Sequence, residues 1–181
     1  MKSKVKFKIK DMATANISFK PEAKDSLELS GRWIFKCYDR YDSLKWTENV
    51  KNIVVNEGLN HLLNVQFHNE TQVHPWYMGL KETSGASASD TLSSHAGWTE
   101  FTDYSGDRQE YVEGESTSES MASSAASVFA ITGSGWVFGA FLCSVATGSD
   151  GVLFSAVDFE SRKVANGDQI NCSYTITSAD S

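Results

Sequence analysis

Lysine occupies every even position from Lys2 to Lys10, while Val5, Phe7 and Ile9 take odd ones. This period of two predicts a strand with one charged and one apolar face. Residues 13–19 also have strand character, and the polar stretch from Pro21 to Asp25 predicts a connection. The organisation expected is therefore a basic N-terminal arm over residues 1–27, followed by a single domain over residues 28–181.

The body opens with the aromatic-rich run Arg32-Trp33-Ile34-Phe35-Lys36-Cys37-Tyr38, a polar turn at residues 39–43, and a second strand at Leu44-Lys45-Trp46-Thr47. Leu59, Leu62, Leu63 and Phe67 then follow helical spacing, with Asn56 as the expected N-cap and Gly58 a weakening residue. Strand patterns resume at residues 76–80, 97–104, 125–132, 135–144, 152–160 and 169–177, joined by segments rich in Gly, Ser and Thr. Residues 83–96 and 105–124 read as the longer loops. Short strands with one helix predict a mainly β fold, an antiparallel β-sandwich or jelly-roll-like domain with one short helix and an extended N-terminal arm. Trp33, Phe35, Leu59, Leu62, Leu63, Trp76, Trp136 and Phe138 are the expected core.

Charge sharpens the division between arm and body. Seven lysines against Asp11 and Glu22 give residues 1–24 a net of +5, leaving −12 on the rest of a chain whose net is −7. Seven acidic residues between Glu100 and Glu119 are opposed only by Arg108. Such segments attract partners of opposite sign. Nucleic acid is not an expected partner, because the chain is acidic overall and the arm lacks interleaved stacking aromatics. No apolar stretch approaches the roughly 18–20 residues of a membrane span, nor that of a secretion signal, so the chain is expected to be made in a cytoplasm with no membrane partner. Cys37, Cys143 and Cys172 show neither CxxC nor Cys/His spacing and are expected as buried free thiols.

Candidate chemistry is thin. His61 and His68, with Glu57 and Glu70 nearby, lie about two helical turns apart, too far for one metal shell. Ser93, Ser94, His95 and Glu100 can be written as a Ser-His-acid set, yet no GxSxG elbow is present. The acidic stretch could supply a carboxylate pair for glycoside cleavage, or weak calcium ligands in Asp103, Asp107 and Glu110, but clustered carboxylates on a polar loop are usually solvated. The reading is of a non-enzymatic protein with no cofactor and no metal.

One ordered set of segments carries a resemblance. Gly31-Arg32-Trp33 is followed by Asn52-Ile53-Val54-Val55-Asn56-Glu57-Gly58-Leu59-Asn60-His61-Leu62-Leu63, then Trp76-Tyr77-Met78-Gly79-Leu80 and Ser94-His95-Ala96-Gly97-Trp98-Thr99-Glu100. Near the end come Asn166-Gly167-Asp168 and Tyr174-Thr175-Ile176-Thr177. Over residues 31–178 this order resembles a family of tailed-phage structural proteins that also occur in prophages. The resemblance implies a virion component made in a host cytoplasm, without catalytic residues. A protein that decorates or cements the capsid shell is the expected role, with a tail-fibre or tail-adaptor protein as the alternative. The expected partners are the major capsid protein or other virion proteins and further copies of the chain, as a dimer or trimer. The arm lies outside the resemblance. Its candidate binding residues, Lys2, Lys4, Val5, Lys6, Phe7, Lys8, Ile9 and Lys10, rest on the charged and apolar faces alone: they suit strand addition to a neighbour's sheet, docking on an acidic shell, or protection of an exposed edge.

Overall fold

A computed structural model describes residues 27–180, so the eight candidate arm residues lie outside the described part of the chain. The strand patterns resolve into two antiparallel sheets. In the first, β1 (Leu27–Tyr38) lies between β2 (Leu44–Lys51) and the C-terminal strand β11 (Gln169–Asp180). The short strands β7 (Ser120–Ala122) and β8 (Ser127–Ala130) pair with successive parts of the far side of β11. In the second sheet, β3 (Ile53–Val54), β10 (Leu153–Val164), β9 (Gly135–Cys143), β4 (Trp76–Lys81) and β5 (Glu100–Phe101) are neighbours in that order. The strand β6 (Gln109–Tyr111) also pairs with β4.

Alternation decides which side chains meet between the sheets. On β1, Trp33, Phe35 and Cys37 are fully buried while Arg32 and Lys36 face solvent. Their register partners on β11 are Tyr174, Cys172 and Ile170, also fully buried. Trp33 stacks on Tyr174 with ring centroids 4.5 Å apart, and Phe35 meets Phe159 of β10 at 4.9 Å. Burial raises the thiol pKa of all three free cysteines, Cys37 to about 12. The expected sandwich is the observed architecture.

The second sheet is buried on its outer face as well, which its continuous apolar runs foreshadow. Residues 83–99 fold over that face and bring Leu92 and Trp98 against Phe141, Cys143, Leu153 and Ala156. Residues 83–96, expected to be a loop, thus carry part of a second core, and the strand expected over residues 97–104 is confined to β5 at Glu100–Phe101, Trp98 being drawn into that core instead. In the other long loop β6 and β7 form, each too short to show a period.

The helix α1 (Asn56–Phe67) forms where expected, but it presents a different face. Asn56 is its first residue rather than its N-cap; Val55 holds the cap position and makes no side-chain capping bond. Gly58 and His61 are the buried helical residues, whereas Leu62 and Leu63 are 42% and 55% exposed and Phe67 is 79% exposed. The expectation that the leucines fill the core is corrected by close packing. A β-carbon on Gly58 would sit 2.4 Å from the backbone oxygen of Phe154, so the glycine face is the one that can reach β10. His61 completes that face, meeting Trp76 edge-on at 5.7 Å with its Nδ1 2.7 Å from Glu70 Oε1. Trp136 is likewise corrected: it is half exposed, because Val137 is the residue of that pair that points inward. Leu59, Trp76 and Phe138 are partly buried. Among the described residues no helix is long and apolar enough to cross a membrane.

Gly58→Ala is expected to destabilise the fold by about 1–3 kcal/mol through forced separation of α1 from β10, despite the better helix propensity of alanine. Leu63→Ala, at an exposed position, is expected to cost under about 1 kcal/mol. Urea unfolding midpoints measure both, and a larger loss for Leu63→Ala would reverse the assigned face.

Candidate functional site

Two regions concentrate chemistry: a buried ion pair on the outer face of the second sheet, and a groove at one end of the sandwich. Lys81 of β4 and Asp158 of β10 both stand in register with Gly139 of the intervening strand β9. With no side chain at Gly139, the two reach across the strand and form a salt bridge. The Lys81 side chain is fully buried, with Nζ 5.0 Å from the centre of the Trp98 ring. Desolvation lowers its pKa although Asp158 and Asp90 act to hold the proton. Burial pushes the Asp158 carboxyl up, but the salt bridge with Lys81 and amide donors from Gly85 at 3.0 Å and Ala86 at 2.9 Å leave it below the ordinary value.

These contacts fasten residues 83–99 to the sheet. Asp90 continues the fastening by accepting from the Trp98 indole Nε1 at 2.9 Å and from the Ser87 amide at 2.9 Å. Glu57, at the start of α1, accepts from the amides of Leu92 and Leu153 at 2.9 and 2.6 Å. Glu100 is gripped by Arg108, whose Nε and Nη2 donate at 2.9 and 2.7 Å. Each of these carboxylates is engaged in holding the backbone or a cation.

The candidate catalytic sets do not assemble. His95 lies flat on Trp98 at 3.8 Å and donates from Nδ1 to the Trp98 carbonyl at 3.0 Å, while Ser93 and Ser94 belong to a turn with Thr91. His61 turns toward Trp76 and Glu70, away from a shared position with His68. Beside them is a polar cleft of about 470 Å³ lined by Asn56, Asn60, Asn64 and Glu70 among others. Among the described residues no group of three or more His, Cys, Asp or Glu is arranged to hold a metal ion.

The groove is of another character. It measures about 460 Å³ and opens between α1 and the ends of both sheets. Its lining is mainly apolar: Leu62 and Val65 of α1, Trp76 of β4, Leu29 of β1, Met121 of β7 and Ile176 of β11. Tyr111, Leu142 and Phe154 extend it into the main core. Glu113 and Glu119 belong to its edge, so part of the acidic stretch comes to this mouth. Tyr111 is 3% exposed, and its hydroxyl has no hydrogen-bond partner among the described residues. Burial, aided by Glu113, raises its pKa to about 12, so the phenol keeps its proton as a donor.

No pattern in the chain marks Tyr111, which sits in a three-residue strand inside an acidic loop, or the Lys81–Asp158 pair, 77 residues apart. The only available signal for the pair was a charge ending the apolar run Trp76–Leu80. No protein-family model matches the chain, and no curated protein matches it.

Removing one partner of the buried pair should be asymmetric. Asp158→Ala strands a buried ammonium and is expected to cost about 3–5 kcal/mol, whereas Lys81→Met leaves a partly exposed carboxylate with two amide donors and costs less. Because the folded Asp158 pKa is lowered, its stabilisation is present above the unfolded value near 3.9 and is lost as pH falls through the folded value. Urea titrations across the acid range should therefore show a shallower acid loss in Asp158→Asn than in the parent.

Proposed function

We propose that this chain is a non-enzymatic structural protein of a tailed-phage virion, one that decorates or cements the capsid shell. The observation that carries the reading is the outward apolar face of α1, where Leu62, Leu63 and Phe67 lie exposed beside the groove. Monomeric soluble proteins seldom leave such contiguous apolar surface uncovered, and its ordinary use is to seat a partner.

The residues behind the phage resemblance fit a scaffold role. Gly31 lies under the Tyr174 ring, and the Asn52 Nδ2 donates to the Tyr174 hydroxyl at 2.9 Å. Glu57, Gly58, Trp98 and Glu100 fix the helix and the long loops as described above. A rigid β body with fastened loops presents a fixed face, as a repeated shell contact requires.

Quantitative mass spectrometry of purified virions carrying the chain tests the location: hundreds of copies per particle support shell decoration, and a few or a few tens assign it to the tail. The double variant Leu63→Asp, Phe67→Asp should keep the parental unfolding midpoint, since both positions are exposed, and lose attachment to the particle. Full attachment of a folded double variant removes the helix face from the proposal.

A further inference from the structure

The groove at the mouth of the sandwich is an open end of the main core. Tyr111, Leu142 and Phe154 belong to that core and also line the groove, so apolar surface continuous with the interior is left facing outward. An occupant that fits must bring apolar side chains at regular intervals, which is what an extended peptide does.

We propose that this groove is the seat of the chain's own N-terminal arm, which inserts the apolar edge formed by Val5, Phe7 and Ile9. Three features single out that segment. The first is attachment: β1 begins at Leu27 and Leu29 lines the groove, so the residues before β1 are tethered at its lip. Residues 10–26 reach up to roughly 55 Å when extended, at about 3.3 Å each, enough to turn back over the mouth. The second is pattern: in an extended segment Val5, Phe7 and Ile9 share one side at intervals of about 6.6 Å, with the lysines on the other. The third is charge: the lysines carry positive charge to an edge bearing Glu113 and Glu119.

Tethering selects this occupant over a second copy of the chain. A flexible link of this kind holds the segment at an effective concentration in the millimolar range, far above that of a separate molecule in dilute solution. The seat also covers an edge that would otherwise expose alternating apolar residues to strand pairing. The proposal concerns the free chain and stands apart from the capsid reading.

The experiment uses the full-length protein. Hydrogen exchange is followed on the amides of residues 4–10 in the parent, in Phe7→Ser and in Met121→Lys, which places a charge in the groove. Exchange in the parent is expected to be slower than for an unstructured chain by on the order of tenfold or more, unchanged on dilution, and fast in both variants. A benzophenone amino acid at position 7 is expected to cross-link within one molecule to peptides containing Leu62, Trp76 or Met121. Unprotected amides in the parent overturn the proposal, as do cross-links outside the groove. Cross-linked dimers, or protection that falls on dilution, assign the groove to a second copy and overturn it too. Phe7→Ser keeps the test open if Met121→Lys fails to fold, because it leaves every described residue unchanged.

Discussion

The pairing of β1 with β11 is the constraint on which the rest of the structure depends. It joins the first and last described strands over their full lengths, from Leu27 opposite Asp180 to Tyr38 opposite Gln169. Its inward face supplies Trp33, Phe35, Cys37, Ile170, Cys172 and Tyr174, the wall against which the second sheet packs. A slip of one residue between the two strands would turn the three contributed by one of them outward, so the alternation fixes register strongly. The closure entropy of nearly the whole domain must be met before these contacts form, and such non-local topology slows folding. Formation of the first sheet therefore requires the C-terminal strand, which also carries β7 and β8 on its other edge.

On that frame, ionisable groups act chiefly as fasteners. Glu57 ties the start of α1 to β10 and to the loop at Leu92; Asp158 with Lys81 ties the same loop to the middle of the second sheet; Asp90 locks its interior. The ion pair among them is a weak source of net stability but severe to break singly. Their effect is to select one loop conformation among many. A segment with little apolar surface of its own is thereby held firmly enough for Trp98 to complete a second core.

What was legible in the sequence follows from length and periodicity. β1, β2, β4, β9, β10 and β11 are long enough to show either alternation or a continuous apolar run, and the sandwich follows from them. β3, β6 and β7 have two or three residues each and carry no readable period. The existence of α1 was legible from Leu59, Leu62, Leu63 and Phe67, yet its buried face was not, because hydrophobic spacing contains no signal for a glycine that permits close approach. At Trp136 the strand was readable and its phase was not, since Trp136 and Val137 are both apolar. The groove was hidden for a further reason: its walls come from seven strands and a helix widely separated in sequence, and Tyr111 among them is on a strand too short to detect.

The helix orientation and the groove have one origin. Residues on an α-helix advance by about 100° each, so with Gly58 and His61 buried Leu62 stands about 70° and Leu63 about 170° from the centre of the buried face. With those leucines inward, α1 would stop the mouth of the sandwich with its own side chains. With Gly58 inward, the backbone lies close to Phe154, Leu62 and Val65 become one wall of an open groove, and Leu63 and Phe67 face solvent beside it. A single close contact, set by the absence of one β-carbon, thus leaves two apolar surfaces uncovered, the groove and the outer side of α1. The described fold keeps an open groove at the place where helix side chains could have closed the core.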